Sequence, residues 1–155
     1  MRRMLHVCAA AVVGHVVLAT GQSAAAATVT PFAQYLQKEC DGSGDCFVAY
    51  PNVAAGSRLE IEHVSCEDTV TGSLPTLPKV ARFNLYVLLA DQFKGDYAML
   101  PSANGIAGST ATWTVDGPTF ALVLPGQNAQ ARITLDKAPA TQLLQCTISG
   151  HAFAS

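Results

Sequence analysis

Charge is scarce in this chain: only 13% of its 155 residues are Asp, Glu, Lys or Arg, and basic residues form no run beyond Arg2-Arg3. Setting those two aside leaves seven basic residues against eleven acidic ones, a net charge of about −4. Binding to phosphate backbones needs clustered Lys and Arg to displace counterions, so nucleic acid and anionic membrane surfaces are poor partners. The sequence has no C-x-x-C pair, no G-x-S-x-G or Ser-x-x-Lys nucleophile signature, no P-loop and no dinucleotide fingerprint. Structural zinc ribbons, the common serine hydrolases and nucleotide-dependent enzymes therefore lack their usual marks. No cofactor is implied. Half of the residues are hydrophobic, which excludes a disordered tail.

The N-terminus reads as an export address. Arg2 and Arg3 precede a stretch, Met4 to Ala19, that is apolar apart from His6 and His15, and Ser23 to Ala27 supplies small residues for cleavage. The stretch is short and broken by Gly14-His15, which disfavours a membrane span. Cys8 lies too early for lipoprotein processing. The expectation is a signal peptide over 1–27, one domain over 28–155 with no membrane span after cleavage, and a secreted or periplasmic location. Four cysteines follow the leader: Cys40, Cys46, Cys66 and Cys146. An even number in an exported chain predicts two disulfides, with three pairings formally open.

Beyond Cys46 the hydrophobic pattern has period two. Strands are predicted at Cys46–Tyr50, Arg58–Cys66, Ala81–Leu89, Thr110–Val115, Thr119–Leu124, Ala129–Leu135 and Leu143–Ala152, with Gly/Pro-rich breaks between them. Asp116-Gly117-Pro118 reads as one such break, and Asp91 to Ser109 as the longest polar loop. Thr30-Pro31 is a good helix start and Phe32, Tyr35, Leu36 and Glu39 fall at helical spacing, while Phe32, Gln34 and Leu36 alternate less convincingly as a strand, which predicts a short N-terminal helix or an irregular lead-in. The fold class is all-β: an antiparallel β-sandwich, jelly-roll-like or immunoglobulin-like.

Asp41 to Asp45 is a short turn-forming segment, so a Cys40–Cys46 bridge is geometrically easy and leaves Cys66 with Cys146. That second bridge raises a parity conflict. In a regular strand Leu59 and Ile61 face away from Cys66, whereas Leu144, Cys146 and Ile148 share one face. Either a bulge near His63-Val64 flips the alternation, or the bridge crosses between sheets.

The segment Pro51–Cys66, containing Gly56-Ser57-Arg58-Leu59-Glu60-Ile61-Glu62, resembles a recurrent stretch of small exported bacterial proteins of unknown function. Cys146-Thr147-Ile148-Ser149-Gly150 and Trp113 to Phe120 with Pro125-Gly126-Gln127 are similar to the same group. The resemblance implies fold and export; it carries no catalytic residue.

Candidate sites are few, and each has a plain structural alternative. Asp41-Gly42-Ser43-Gly44-Asp45 opens like a calcium loop, but Cys46 stands where the turn glycine belongs and Asn52 where the bidentate Glu belongs. Glu60 and Glu62 are the carboxylate pair a small hydrolase would use, although i, i+2 carboxylates usually mark a solvated strand face; Glu67-Asp68 reads as the start of a loop. His63 and His151 meet if their strands are neighbours, yet two histidines make a weak metal site, and no metal is expected. Cys146 with His151 would need a free thiol. Trp113, Tyr86, Tyr97 and Tyr50 are candidate binding aromatics, and Lys94, Asp96, Tyr97 and Trp113 are the expected ligand contacts. The function expected is a non-enzymatic exported domain that binds a protein or carbohydrate ligand or serves the cell envelope. A small secreted hydrolase and a fimbrial or adhesive subunit are the alternatives.

Overall fold

A computed structural model describes residues 28–73 and 76–154; the expected leader lies outside them. Nine strands and no helix make up the described residues: β1 (Thr28–Cys40), β2 (Asp45–Ala49), β3 (Ser57–Thr71), β4 (Val80–Leu89), β5 (Gln92–Met99), β6 (Ser102–Ala107), β7 (Thr110–Val123), β8 (Asn128–Leu135) and β9 (Thr141–Ala154). They form two antiparallel sheets, ordered β1-β9-β3-β7-β6 and β2-β8-β4-β5, packed face to face. The chain changes sheet at β1→β2, β2→β3, β3→β4, β5→β6, β7→β8 and β8→β9. That repeated crossing is the jelly-roll order, with β6 added at one edge, and not the immunoglobulin order.

The core lies between the sheets. Ile61 and Val64 of β3, Phe83, Leu85 and Val87 of β4, and Leu144 and Ile148 of β9 are buried there. A smaller cluster of Val70, Leu77, Ala111 and Leu135 closes one end, with half-buried Trp113 packed against it. β8 alternates buried and half-buried residues along its whole length, the pattern expected of a strand with one face on the core.

The predicted N-terminal helix is a strand. β1 pairs with β9 over Thr28–Cys40 in unbroken register, and Phe32, Gln34 and Leu36 form its half-buried side. Proline is tolerated because β1 is an edge strand. Cys66 and Cys146 are directly opposite one another with Cα atoms 4.1 Å apart, the spacing of a non-hydrogen-bonded pair. Counting along β9 and β1 from there, the nitrogen of Pro31 points to the open edge, where no strand of the described residues needs its missing N–H.

The break predicted at Asp116-Gly117-Pro118 is absent for the same reason. β6 covers only the Thr110–Thr114 end of β7, so Pro118 lies on a stretch whose outer edge has no neighbouring strand among the described residues. The loop predicted from Asp91 to Ser109 is β5 and β6, and Glu67-Asp68 lies within β3.

Both disulfides form, Cys40–Cys46 and Cys66–Cys146. The parity conflict is resolved by a bulge. The register of β3 shifts between Ile61 and His63 against both neighbours, so Ile61, Val64 and Cys66 all face the core while Glu62 is exposed. The bridge therefore runs within one sheet. Gly150 faces the bulge, and a Cβ there would overlap the Glu60 carbonyl oxygen and stand 3.0 Å from the Glu62 nitrogen. Only a residue without a side chain fits that approach.

The β4–β5 hairpin turns through Ala90 and Asp91, both in the left-handed region at φ 47° and 63°. This is the two-residue geometry that favours Asn-Gly. An Ala90→Asn/Asp91→Gly protein is expected to gain about 1 kcal/mol, from relief of an alanine in that region. A thermal melt raised by a few degrees checks it.

Candidate functional site

The residues singled out in the sequence scatter over the fold. Trp113 lies on the core side of β7, its Nε1 buried with no partner among the described residues. Tyr97 packs against the main core from β5, its ring lying over Gly95. Lys94 and Asp96 are exposed on β5: Lys94 donates to Gln92 Oε1 at 3.3 Å, and Asp96 accepts a hydrogen bond from the buried Asn84 amide. Trp113 stands in the other sheet, so the four residues converge on no common point. Tyr86 is buried beside Phe93, with ring centroids 4.8 Å apart, and Tyr50 is in the core.

The charged candidates are each engaged separately. Glu60 pairs with Arg58 at 3.3 Å, and Glu62 meets His151 Nδ1 at 3.0 Å. The strands of His63 and His151 are neighbours, but His63 faces Asp116 at 3.7 Å. Asp41 accepts the Ser43 N–H, and hydrogen bonds from Ser43 hold its carboxyl below the usual range. Asp45 is forked by the Arg132 guanidinium, whose hydrogen bond keeps its carboxyl low against a smaller opposing effect of burial. Among the described residues no three His, Cys, Asp or Glu converge to hold a metal.

One buried ionisable group escaped the sequence reading. Asp68 is 1% exposed, and the Gln142 amide nitrogen donates to both of its oxygens at 3.1 and 3.2 Å. Burial pushes its carboxyl up to about 6, with the Gln142 hydrogen bond opposing. Gln142 Oε1 is itself buried without a hydrogen-bond partner among the described residues.

The surface with the most coherent chemistry is the outer face of the five-stranded sheet. Strand register places Tyr35, Thr147, Ser65 and Asp116 in one row across β1, β9, β3 and β7. The next row is Gln37, Gln145, Glu67, Thr114 and Ser102. Tyr35 stands 53% exposed at the rim of a shallow depression floored by Ser65, Glu67, Thr114, Gln145 and Thr147. Its hydroxyl donates to Gln37 Oε1 at 2.8 Å and accepts from Gln145 Nε2 at 2.7 Å, which fixes the ring's position. Across the depression Thr114 Oγ1 donates to Asn104 Oδ1 at 2.8 Å and lies 3.2 Å from Ser102 Oγ. The Cys66–Cys146 bridge ties β3 to β9 directly beneath.

Hydroxyls and amides dominate this face, and Glu67 is the one carboxylate in the depression. An exposed aromatic ring beside amide and hydroxyl groups can stack on an apolar ring face and bond to surrounding hydroxyls. No sequence signal isolated Tyr35, because the row is built from four strands far apart in the chain. No protein family matches the chain, and no curated protein is similar to it in sequence.

Proposed function

We propose that this is an exported, non-catalytic jelly-roll domain that binds a neutral polyhydroxylated ligand, a carbohydrate chain, on the Tyr35 face. The observation that carries the reading is the exposed Tyr35 ring held by Gln37 and Gln145 at the edge of a depression lined with hydroxyls and amides. The disulfide-tied sheet supports it, since a rigid surface loses little freedom on binding. Export is supported by the leader-like N-terminus and by the two disulfides. No helix of the described residues is long and apolar enough to cross a membrane.

Titration calorimetry against a panel of neutral polysaccharides tests the reading. Tyr35→Ala is expected to weaken binding about tenfold through loss of stacking, while Tyr35→Phe keeps most of it. Absence of binding to every neutral polysaccharide, or indifference to Tyr35→Ala, overturns it.

A further inference from the structure

The two sheets have four edge strands, and three of them are blunted. β2 has five residues, β6 has six with a register shift at Ala103/Gly105, and β5 is shifted opposite Val87/Leu88 and carries Lys94 and Asp96. The uncovered stretch of β7 carries Asp116 and Pro118. These are the usual protections against strand addition. β1 is the least protected: it runs thirteen residues in unbroken register, its Pro31 lies near one end and Lys38 and Glu39 near the other, and Phe32–Gln37 between them carries neither charge nor proline. At the same edge Leu36, Gln37 and Lys38 of β1 and Phe47, Val48 and Ala49 of β2 line a groove between the sheets, with the Lys38 amine 4.0 Å above the Phe47 ring.

We propose that β1 pairs antiparallel with β1 of a second copy of this chain, joining two five-stranded sheets into one. The choice of occupant follows from the strand itself. Pro31, whose nitrogen faces the open edge, stops pairing at one end, and the strand finishes at Cys40 at the other. The usable stretch is therefore Phe32–Cys40, and its midpoint is Leu36.

A two-fold axis through Leu36 uses that stretch fully and leaves each proline opposite a residue beyond the partner strand's end. Ala33, Tyr35, Gln37 and Glu39 turn their backbone groups to the open edge, so Tyr35 pairs with Gln37 and Ala33 with Glu39 of the second copy. Lys38 falls opposite Gln34, and no like charges face each other. The two Leu36 side chains meet as a non-hydrogen-bonded pair at the grooves, where cross-strand side chains approach most closely. Such an interface is isologous and closes at two copies.

Sedimentation of the exported protein, without ligand, tests this independently of the Tyr35 face. A concentration-dependent dimer is expected. Ala33→Pro removes only an N–H that points to the open edge, and should abolish the dimer while leaving the thermal melt nearly unchanged. Gln34→Lys places an amine opposite Lys38 of the other copy at two symmetric positions and should weaken dimerisation about tenfold. Gln34→Glu should strengthen it. Opposite effects from one position are not the signature of a folding defect. A protein that stays monomeric to about 100 µM, or a dimer indifferent to all three substitutions, overturns the proposal. So does a monomer that captures an unrelated extended peptide on β1 in preference to its own.

Discussion

Replacing Cys66 and Cys146 together by alanine is expected to cost about 4.5 kcal/mol, from the chain entropy released when a closure spanning 80 residues is opened. The equivalent change at Cys40 and Cys46, which close a span of 6, should cost only about 2 kcal/mol. The difference has a second source in the same direction. Cys66 and Cys146 are both buried in the main core, 4% and 1% exposed, so truncation of both leaves a cavity, whereas in the other pair only Cys46 is buried and Cys40 is partly exposed. A domain of this size has roughly 5–15 kcal/mol of stability in all, so the core bridge is a large share of it. Urea unfolding of the two double variants measures the contrast directly. Stepwise reduction followed by alkylation should show Cys40–Cys46 opening while Cys66–Cys146 persists until the fold is lost. Equal costs for the two bridges would contradict the core assignment of the second.

Asp68→Asn is expected to stabilise the protein at neutral pH and to flatten its pH dependence. The Asp68 carboxyl is raised to about 6 in the fold by burial, against about 3.9 in an unfolded chain. The folded state thus holds its proton more tightly than the unfolded state does. That contribution is complete below about pH 4 and is lost as pH rises through 6. Two units correspond to about 3 kcal/mol in all, of which about 1.4 kcal/mol falls between pH 5 and 7.5, so the native protein should be less stable at pH 7.5 than near pH 5 by roughly that amount from this group alone. Asparagine carries no charge at any of these pH values, and its NH2 can donate to Gln142 Oε1, the atom that lacks a partner among the described residues. The Asp45 carboxylate, held low by Arg132, acts in the opposite sense and only at lower pH. Melting curves of both proteins at pH 5 and 7.5 isolate Asp68 by difference. Identical slopes for the two would show that the Asp68 carboxyl is not raised.

These two expectations rest on features that were unequally legible in the sequence. Alternation along β8 and β9 read directly as strands because each has one face on the core, whereas β4 read as a strand from a short apolar run whose residues Phe83–Leu88 are buried on both faces. The odd spacing between Ile61 and Cys66 carried enough information to require a bulge or a crossing bridge, and the shift falls beside Glu62. Edges were misread. Pro31 and Pro118 are local breakers only where a neighbouring strand needs their N–H, and among the described residues neither has such a neighbour on that side. Asp68 and Tyr35 were hidden for a different reason: burial of the one and prominence of the other depend on pairings between segments more than 70 residues apart in the chain. Helical spacing around Tyr35 was coincidental, since Phe32, Gln34 and Leu36 alternate equally well once β9 lies alongside.

A strand is read in twos, and an inserted residue changes the frame for all that follows. β3 is written in one frame through Leu59 and Ile61 and in the other through Val64, Cys66, Asp68 and Val70. Glu62 is the inserted character, and Gly150 is the gap on the facing strand that lets it be printed. The half that carries the disulfide and the buried carboxylate is thereby kept in step with β9, while the first half is free to present Arg58, Glu60 and Glu62 to solvent as a separate text.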